Sequence, residues 1–402
     1  MKKKSLNVLF AAVVASYFTG CAAGNAGSTA GTETTSANAE NTTSTENTTS
    51  ADATSTDASN EATTENTSEA APGASDSEKI KVVTTIFPEY DWVKEVLGDN
   101  VGNAEITMLL DNGADLHSYQ PTAEDVIKIA SSDLFIYVGG ESDGWVEDAL
   151  SNSTNPDMQV INLLDVLGDS VKEEEIVEGM EHDHDHEHEE GEEHDHEHEE
   201  GEEHEHEEGE EHDHDHEEGE DHEHESDEHV WLSLKNTQVL VSAIADSLGV
   251  VDSANADTYQ TNAAAYNEKL SALDAEYAAA VDAASVKTVL FGDRFPFRYM
   301  VDDYGLSYYA AFAGCSAETE ASFETILFLA EKVNELDLSS VLTIESSDGK
   351  IADTIIQSTN DKDQQVLVLD SMQSTTSEDV AAGATYLSIM ENNLEVLKEA
   401  LK

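Results

Sequence analysis

Apolar residues first recur with regular spacing near Ile80, after a long stretch without them. The segment KIKVVTTIFP is rich in β-branched residues and stops at Pro88, which predicts a strand, and YDWVKEVLG then has helical spacing that Gly98 ends. Further strands are predicted at 105–110, at 134–139 and in MQVINLL, and Thr122 with Asp125 has the spacing of a capping box before a helix. Alternating strands and helices predict a parallel sheet covered by helices.

The same alternation returns after a long helix, predicted from about Ala254 to Ala284. Strands are predicted in TVLFGD, SYYAAFAG, SVLTIE and QQVLVLD, with helices between them and a last helix from Tyr386 to Leu401. The predicted fold class is therefore α/β, with two lobes that each have a parallel-type sheet and flanking helices. The lobes are assigned to residues 79–250 and 287–402, residues 251–286 form the helix that joins them, and a cleft between lobes is the usual ligand site.

The first residues have the pattern of an export signal. Lys2, Lys3 and Lys4 precede an apolar run from Leu6 to about Ala15, and small residues lead to Cys21. This ending resembles a bacterial lipobox, so residues 1–20 are predicted to be a lipoprotein signal peptide and Cys21 the lipidated residue. The Ser-, Thr- and Asn-rich residues 21–78 are predicted to be a disordered tether. A simple secretory signal is the alternative. The lipid would hold the protein on the extracytoplasmic face of a bacterial cell membrane.

An acidic, histidine-rich tract interrupts the first predicted lobe. Residues 181–228 contain 29 acidic residues and no Lys or Arg, and the region 174–227 is predicted to be a disordered insertion. An unstructured chain offers many weak combinations of imidazole and carboxylate, so weak metal capture is predicted and a solvated acidic linker is the alternative. The histidines predicted to capture metal are His182, His184, His186, His188, His194, His196, His198, His204, His206, His212, His214, His216, His222 and His224.

Charge and motifs exclude several classes of function. The chain has 18 basic and 87 acidic residues, a net charge of −69, which excludes nucleic-acid binding. It has no HExxH, GxSxG, P-loop or GxGxxG motif, so we expect a binding protein rather than an enzyme. An extracytoplasmic metalloenzyme is the alternative from a different class, and it would need an open metal coordination position with a general base beside it.

Only His117 and His229 among the sixteen histidines lie in segments predicted to be ordered. Each follows a polar stretch with an acidic residue close by, Asp115 for His117 and Asp227 for His229. Imidazole is the commonest nitrogen ligand of zinc, and a nearby carboxylate can orient the ring. The two histidines are therefore candidate metal ligands, and ordinary hydrogen-bonded histidines are the alternative.

Four segments together resemble the zinc and manganese substrate-binding lipoproteins of ABC importers, a family also called metal-binding cluster A-I or ZnuA-like. They are KVVTTIFPEYDWVKEVLGD, NGADLHSYQPTAEDV, the acidic insertion before HVWLSL, and DRFPFRYMVDDYGLSYYAAFAGCSAETEASF. The resemblance covers residues 79–402. It implies a rigid helix between two lobes, a metal ion held in the cleft by three or four side chains, and a cognate permease and ATPase as partners of a monomer. His117 and His229 match the family's first two ligands.

The remaining ligand positions match less well. Counting back from Tyr304 and Gly305 without a gap places Arg294 at the third ligand position, and a shift of one residue places Asp293 there. Asp293 would then either bind the metal or pair with a nearby arginine. Asp370 is expected at the fourth position, with Gln373 as the alternative and Glu345 in reserve. Cys315 is a suitable soft ligand, yet the residue type favours a small buried thiol.

The expected metal is Zn²⁺, because a histidine tract at this place is typical of the zinc branch. Two histidines with two carboxylates would also suit Mn²⁺. A manganese receptor of the same family is therefore an alternative function. A metal-buffering surface protein or adhesin that works without a transporter is a further one.

Overall fold

The structure, a computed structural model, describes residues 79–180, 226–316 and 320–402. The predicted signal peptide, Cys21, the tether and the fourteen histidines of the tract lie outside the described residues. The predictions made for them stay predictions.

The first half of the described chain forms a four-stranded parallel sheet in which β1 lies between β2 and β3, in the order β2-β1-β3-β4. Its strands are β1 (Ile80–Thr84), β2 (Ala104–Met108), β3 (Leu134–Tyr137) and β4 (Gln159–Asn162). The helices of this half are α1 (Phe87–Leu97), α2 (Ala123–Ala130), α3 (Val146–Leu150), α4 (Leu163–Leu167) and α5 (Leu234–Val251). Val82, Leu134 and Ile136 of the strands are almost completely buried, as expected for a parallel sheet covered by helices.

The second half repeats this plan with the order β6-β5-β7-β8, again all parallel. Its strands are β5 (Thr288–Phe295), β6 (Ser307–Ala313), β7 (Ser340–Thr343) and β8 (Gln365–Val368). The helices are α7 (Arg298–Tyr304), α8 (Phe323–Leu336), α9 (Lys350–Ser358), α10 (Ser377–Ala382) and α11 (Tyr386–Ala400). The prediction of two parallel sheets with flanking helices is confirmed.

The helix between the two sheets in sequence is α6 (Ala256–Ala283), which at 28 residues is about 42 Å long. Its buried side chains recur every three or four residues on one face. This face packs against α1 and α5 of the first half and against α7 and α11 of the second. The hydroxyl of Tyr277 also donates a hydrogen bond to the backbone oxygen of Met390 in α11, at 2.6 Å. One helix therefore contacts both halves. No helix in the described part of the chain is long and apolar enough to cross a membrane.

The strand order determines where a ligand can bind. In each sheet the winding reverses beside the first strand, which opens a crevice at the carboxyl ends of the strands. His117 follows β2, Asp293 lies near the end of β5 and Asp370 follows β8. These three sequence-predicted ligands therefore belong to strand ends or to the loops after them, whereas the fourth, His229, directly precedes the 3₁₀ helix Val230–Leu232.

The structure corrects the limits of the predicted insertion. Glu173 and Ser226 form an antiparallel bridge, and Asp227 is only 2% exposed. Residues 174–180 and 226–227 belong to the region that the sequence predicts to be disordered, yet they are part of the described fold. Their acidic composition does not reveal this, because contacts such as Glu174 with Cys315 and Glu175 with Tyr308 join residues distant in sequence.

A buried carboxyl group lies at the start of α1. Glu89 is completely buried, and its side chain accepts hydrogen bonds from the backbone N–H groups of Thr85, at 2.8 Å, and Ile86, at 3.3 Å. Burial raises the pKa of Glu89 to about 8, and the nearby carboxylate of Asp143 acts in the same direction. The folded protein therefore binds a proton at Glu89 over a pH range in which an unfolded glutamate has lost it.

We predict that Glu89→Gln removes this pH dependence. Between the unfolded value near 4.5 and the folded value of about 8, the folded state binds more protons than the unfolded state, so rising pH costs the native protein stability. The stability of Glu89→Gln relative to the native chain should rise from pH 5 to pH 8 by at least about 1 kcal/mol. Urea unfolding with a chelator present measures this. The exposed Glu147→Gln is the control, and parallel curves for Glu89→Gln and the native chain would contradict the prediction.

Candidate metal centre

His229 is completely buried just before the short 3₁₀ helix Val230–Leu232, and an acidic residue two positions earlier holds its ring. Oδ1 of Asp227 lies 3.0 Å from Nδ1 of His229 and also accepts a hydrogen bond from the backbone N–H of His229 at 2.8 Å. A carboxylate only accepts, so Nδ1 carries the hydrogen and Nε2 has a free lone pair. This arrangement of carboxylate behind imidazole is typical of a metal-binding histidine.

His117 lies in the 3₁₀ helix Leu116–Ser118, which Asp115 caps by accepting a hydrogen bond from the backbone N–H of His117 at 3.0 Å. The ring is held at Nδ1, which is 2.8 Å from Oγ of Ser142 and 3.4 Å from Oε2 of Glu228. Glu228 is itself fixed, because its Oε1 accepts a hydrogen bond from the backbone N–H of Ser142 at 2.8 Å. Ser142 and Glu228 thus contact only Nδ1 of the His117 ring, and Nε2 points to the opposite side.

The two Nε2 atoms of His117 and His229 are 3.2 Å apart. Two nitrogens bound to one tetrahedral zinc at about 2.0–2.1 Å lie about 3.3–3.4 Å from each other. The described side chains thus already have the nitrogen spacing of a two-histidine metal site. Sequence reasoning identified both histidines and Asp227 as a partner. It missed Glu228, although this residue is next to His229, and it missed Ser142, which no local signal marks.

The surrounding carboxyl groups are kept in their ionised form. Burial alone would raise the pKa of Glu228, but hydrogen bonds from His117 and Ser142 outweigh it and lower the pKa below its usual range. The pKa of Asp115 is also lowered, because the guanidinium of Arg294 and then His117 outweigh burial. Negative charge behind the two rings favours a cation between them.

A third donor lies beside the histidines. The sulfur of Cys315 and one ring nitrogen from each of His117 and His229 all lie within 4.8 Å of one another. Among the described residues, these three form the group of His, Cys, Asp and Glu side chains that is close enough to hold a metal ion. Burial and the negative charges of Glu174, Asp227 and Glu228 raise the pKa of the Cys315 thiol, so it is protonated at neutral pH when no cation is bound.

The turn that carries Cys315 touches the ring of His229. A Cβ atom on Gly314 would lie 2.8 Å from the backbone oxygen of Phe295 and 3.2 Å from Cε1 of His229. The backbone N–H of Cys315 donates a hydrogen bond to Oε1 of Glu174 at 3.0 Å. Glycine at position 314 therefore allows the approach, and Glu174 fixes the next residue.

Asp293 borders the same crevice but has other partners. Its Oδ1 accepts a hydrogen bond from the backbone N–H of Arg294 at 2.9 Å, and its Oδ2 accepts one from the backbone N–H of Ile344 at 3.4 Å. The guanidinium of Arg294 pairs with Asp115, at 2.6 Å, rather than with Asp293. Asp293, Arg294, Asp115 and His117 all line a cavity of about 500 Å³. Asp293 is therefore near His117 but outside the three-residue group.

Asp370 belongs to a separate loop after β8. Its Oδ1 accepts a hydrogen bond from the backbone N–H of Met372 at 2.8 Å, and burial followed by the charge of Glu345 raises its pKa to about 6. Glu345 accepts hydrogen bonds from the backbone N–H groups of Ser371, at 2.8 Å, and Gln373, at 3.0 Å. The structure does not place Asp370, Glu345 or Gln373 in the three-residue group, and a role for Asp293 or Asp370 as a ligand stays a prediction.

The sequence of the chain matches a family model and several characterised relatives. Residues 82–400 match the model described as "Zinc-uptake complex component A periplasmic". The chain is 33% identical over 321 residues to the zinc-binding lipoprotein AdcA of Streptococcus pneumoniae, covering 80% of this chain and 56% of that protein. It is 27% identical over 331 residues to the high-affinity zinc uptake system protein ZnuA of Bacillus subtilis, covering 82% of this chain and 90% of that protein.

Solved structures agree on the fold. The Zn(II)-bound ZnuA-like domain of Streptococcus pneumoniae AdcA is similar with a TM-score of 0.57 at 28% identity, covering 80% of this chain and 99% of that one. The chain thus spans just over half the length of the AdcA relative, and the matched part corresponds to its ZnuA-like domain.

We predict that Gly314→Ala destabilises the protein by about 1–3 kcal/mol, because the new methyl group overpacks the contact with Phe295 and His229. Urea unfolding with a chelator present measures the loss. Gly102→Ala is the matched control, since a Cβ there would meet no atom within 4 Å. Equal stability of the two variants would show that the turn is not closely packed against the ring.

Proposed function

The chain belongs to the zinc-uptake complex component A family, and from this membership we propose that it is an extracytoplasmic receptor of an ABC metal importer. In this proposal the protein binds one zinc ion tightly and passes it to a cognate permease driven by an ATPase. The metal is cargo, so no catalytic step is assigned to the protein.

The observation that carries the proposal is the spacing of 3.2 Å between Nε2 of His117 and Nε2 of His229. Each ring is held at its other nitrogen, by Asp227 in one case and by Ser142 and Glu228 in the other. Neutral imidazole nitrogens suit zinc better than manganese, which prefers oxygen ligands. This supports zinc over the manganese alternative.

Contacts between the two halves support a receptor whose shape responds to the metal. The hydroxyl of Tyr299, in α7, donates a hydrogen bond to the backbone oxygen of Asp227 at 2.8 Å. Nε1 of Trp231 donates one to the backbone oxygen of Ser371 at 2.9 Å. The segment that carries His229 is thus bonded to elements of the second half, and a metal ion bound there would couple to how the halves meet.

A lipid anchor would keep the receptor beside its permease. Lipidation of Cys21 would supply that anchor, and the histidines of the tract would capture metal weakly. The charge of −69 is consistent with attracting cations and argues against nucleic acid as a partner.

We predict that His117→Ala and His229→Ala each lower zinc affinity at least about tenfold, because each removes an imidazole nitrogen that neighbouring side chains orient. Competition against a zinc-binding dye measures this, in the full chain and in a chain lacking residues 181–225. The exposed Glu147→Ala is the control. If both histidine variants keep native affinity without the tract, the proposed site is wrong.

Deleting residues 181–225 alone should leave the tight zinc site and the unfolding transition unchanged and remove only weak zinc equivalents. The expected reason is that an unstructured chelator must lose chain entropy to bind, so each of its sites is weaker than a preformed one. Calorimetric titration of both chains measures the two classes. Loss of the tight site on deletion would make the tract the primary receptor.

A further inference from the structure

We infer that the sulfur of Cys315 is the third protein ligand of the metal, so that the site has two imidazoles and one thiolate. The inference rests on the proposed function and states which metals the site selects. A thiolate ligand favours zinc and cobalt over manganese, and over magnesium and calcium.

Geometry is the first support. Cys315 follows β6, His117 follows β2 and His229 precedes α5, so three separate elements bring their donor atoms within 4.8 Å of one another. A sulfur at about 2.3 Å and a nitrogen at about 2.0–2.1 Å from one tetrahedral zinc lie about 3.6 Å apart. Side-chain movement of about 1 Å therefore closes the group around an ion.

The surroundings of Cys315 are the second support. Gly314 has no side chain where one would strike Phe295 and His229, and Oε1 of Glu174 accepts the N–H of Cys315 at 3.0 Å. The close approach of Gly314 to the ring of His229 fixes the distance between this turn and the imidazole. The turn is shaped to hold residue 315 beside His229.

The neighbouring strand β5 offers no better third ligand. Arg294 is at the position expected from the spacing to Tyr304 and Gly305, but a guanidinium has no free electron pair to donate to a metal. It pairs instead with Asp115 at 2.6 Å. Asp293 already accepts two backbone hydrogen bonds. The third donor therefore comes from the turn after β6 rather than from β5.

Charge balance agrees with a thiolate. When the metal–sulfur bond forms, the sulfur gives up its proton to solvent, and the ion with one thiolate and two neutral imidazoles keeps a single positive charge. Asp227 and Glu228 lie directly behind the rings and offset that charge. A fourth position on the ion remains for Asp293, Asp370 or water.

Cobalt provides a direct test, because a thiolate bound to Co²⁺ gives a sulfur-to-metal charge-transfer band in the near ultraviolet that imidazole and carboxylate ligands do not give. The full chain has two cysteines, Cys21 and Cys315, and the histidine tract has none. We expect the band in the native chain at one equivalent of Co²⁺ and in Cys21→Ser. We expect its loss in Cys315→Ser, with zinc affinity lowered at least about tenfold and manganese affinity nearly unchanged.

Absence of the band in the native chain, or its persistence in Cys315→Ser, would overturn the assignment of Cys315. The native spectrum decides this even if the variant folds poorly. The proposed function fails separately: if His117→Ala and His229→Ala keep tight zinc binding, the site is elsewhere. If those variants lose zinc and no sulfur band forms, the receptor stands and only the Cys315 ligand is wrong.

Discussion

Two imidazole nitrogens facing each other at 3.2 Å are the constraint on which the rest of the site depends. That distance has room for one hydrogen or one metal ion between the rings, but not for a hydrogen on each nitrogen. Partners on the far side of each ring meet this constraint. Nδ1 of His229 is hydrogen-bonded to Asp227, and Nδ1 of His117 contacts Ser142 and Glu228. The strand ends, the 3₁₀ helices and the buried acids are arranged so that both Nε2 atoms stay free.

The segment that carries His229 also joins the two halves. Trp231 packs its ring 5.2 Å from that of His229, and its backbone oxygen accepts a hydrogen bond from the hydroxyl of Tyr386 at 2.7 Å. The same tryptophan reaches Ser371 on the loop after β8. The segment that carries His229, a candidate ligand, is therefore bonded to α11 and to a loop of the second half, so a movement of the second half would act directly on this segment.

The sequence predicts the sheets well because a buried parallel strand has a local signal, a short apolar run between polar turns. It also identifies His117 and His229, since these are the histidines outside the tract, and Asp227, since it is two residues from its partner. It does not find Cys315 as a neighbour of the histidines, because 86 residues separate it from His229 and only the folded turn at Gly314 brings them together. Nor does it find that the carboxylates of Asp293 and Asp370 accept backbone N–H groups, which no spacing reveals.

The placement of the acids separates attraction from selection. A charge of −69 draws every cation toward the chain, and carboxylates bound directly to the ion would suit magnesium and calcium, whose preferred ligands are oxygens. In the candidate site Asp227 and Glu228 instead contact the Nδ1 atoms of the two imidazoles, on the side of each ring away from the Nε2 atoms. Their charge favours a cation at the site, yet the proposed donor atoms are two nitrogens and a sulfur. The acidic chain attracts cations of every kind, whereas the donor atoms of the proposed site favour zinc over magnesium and calcium.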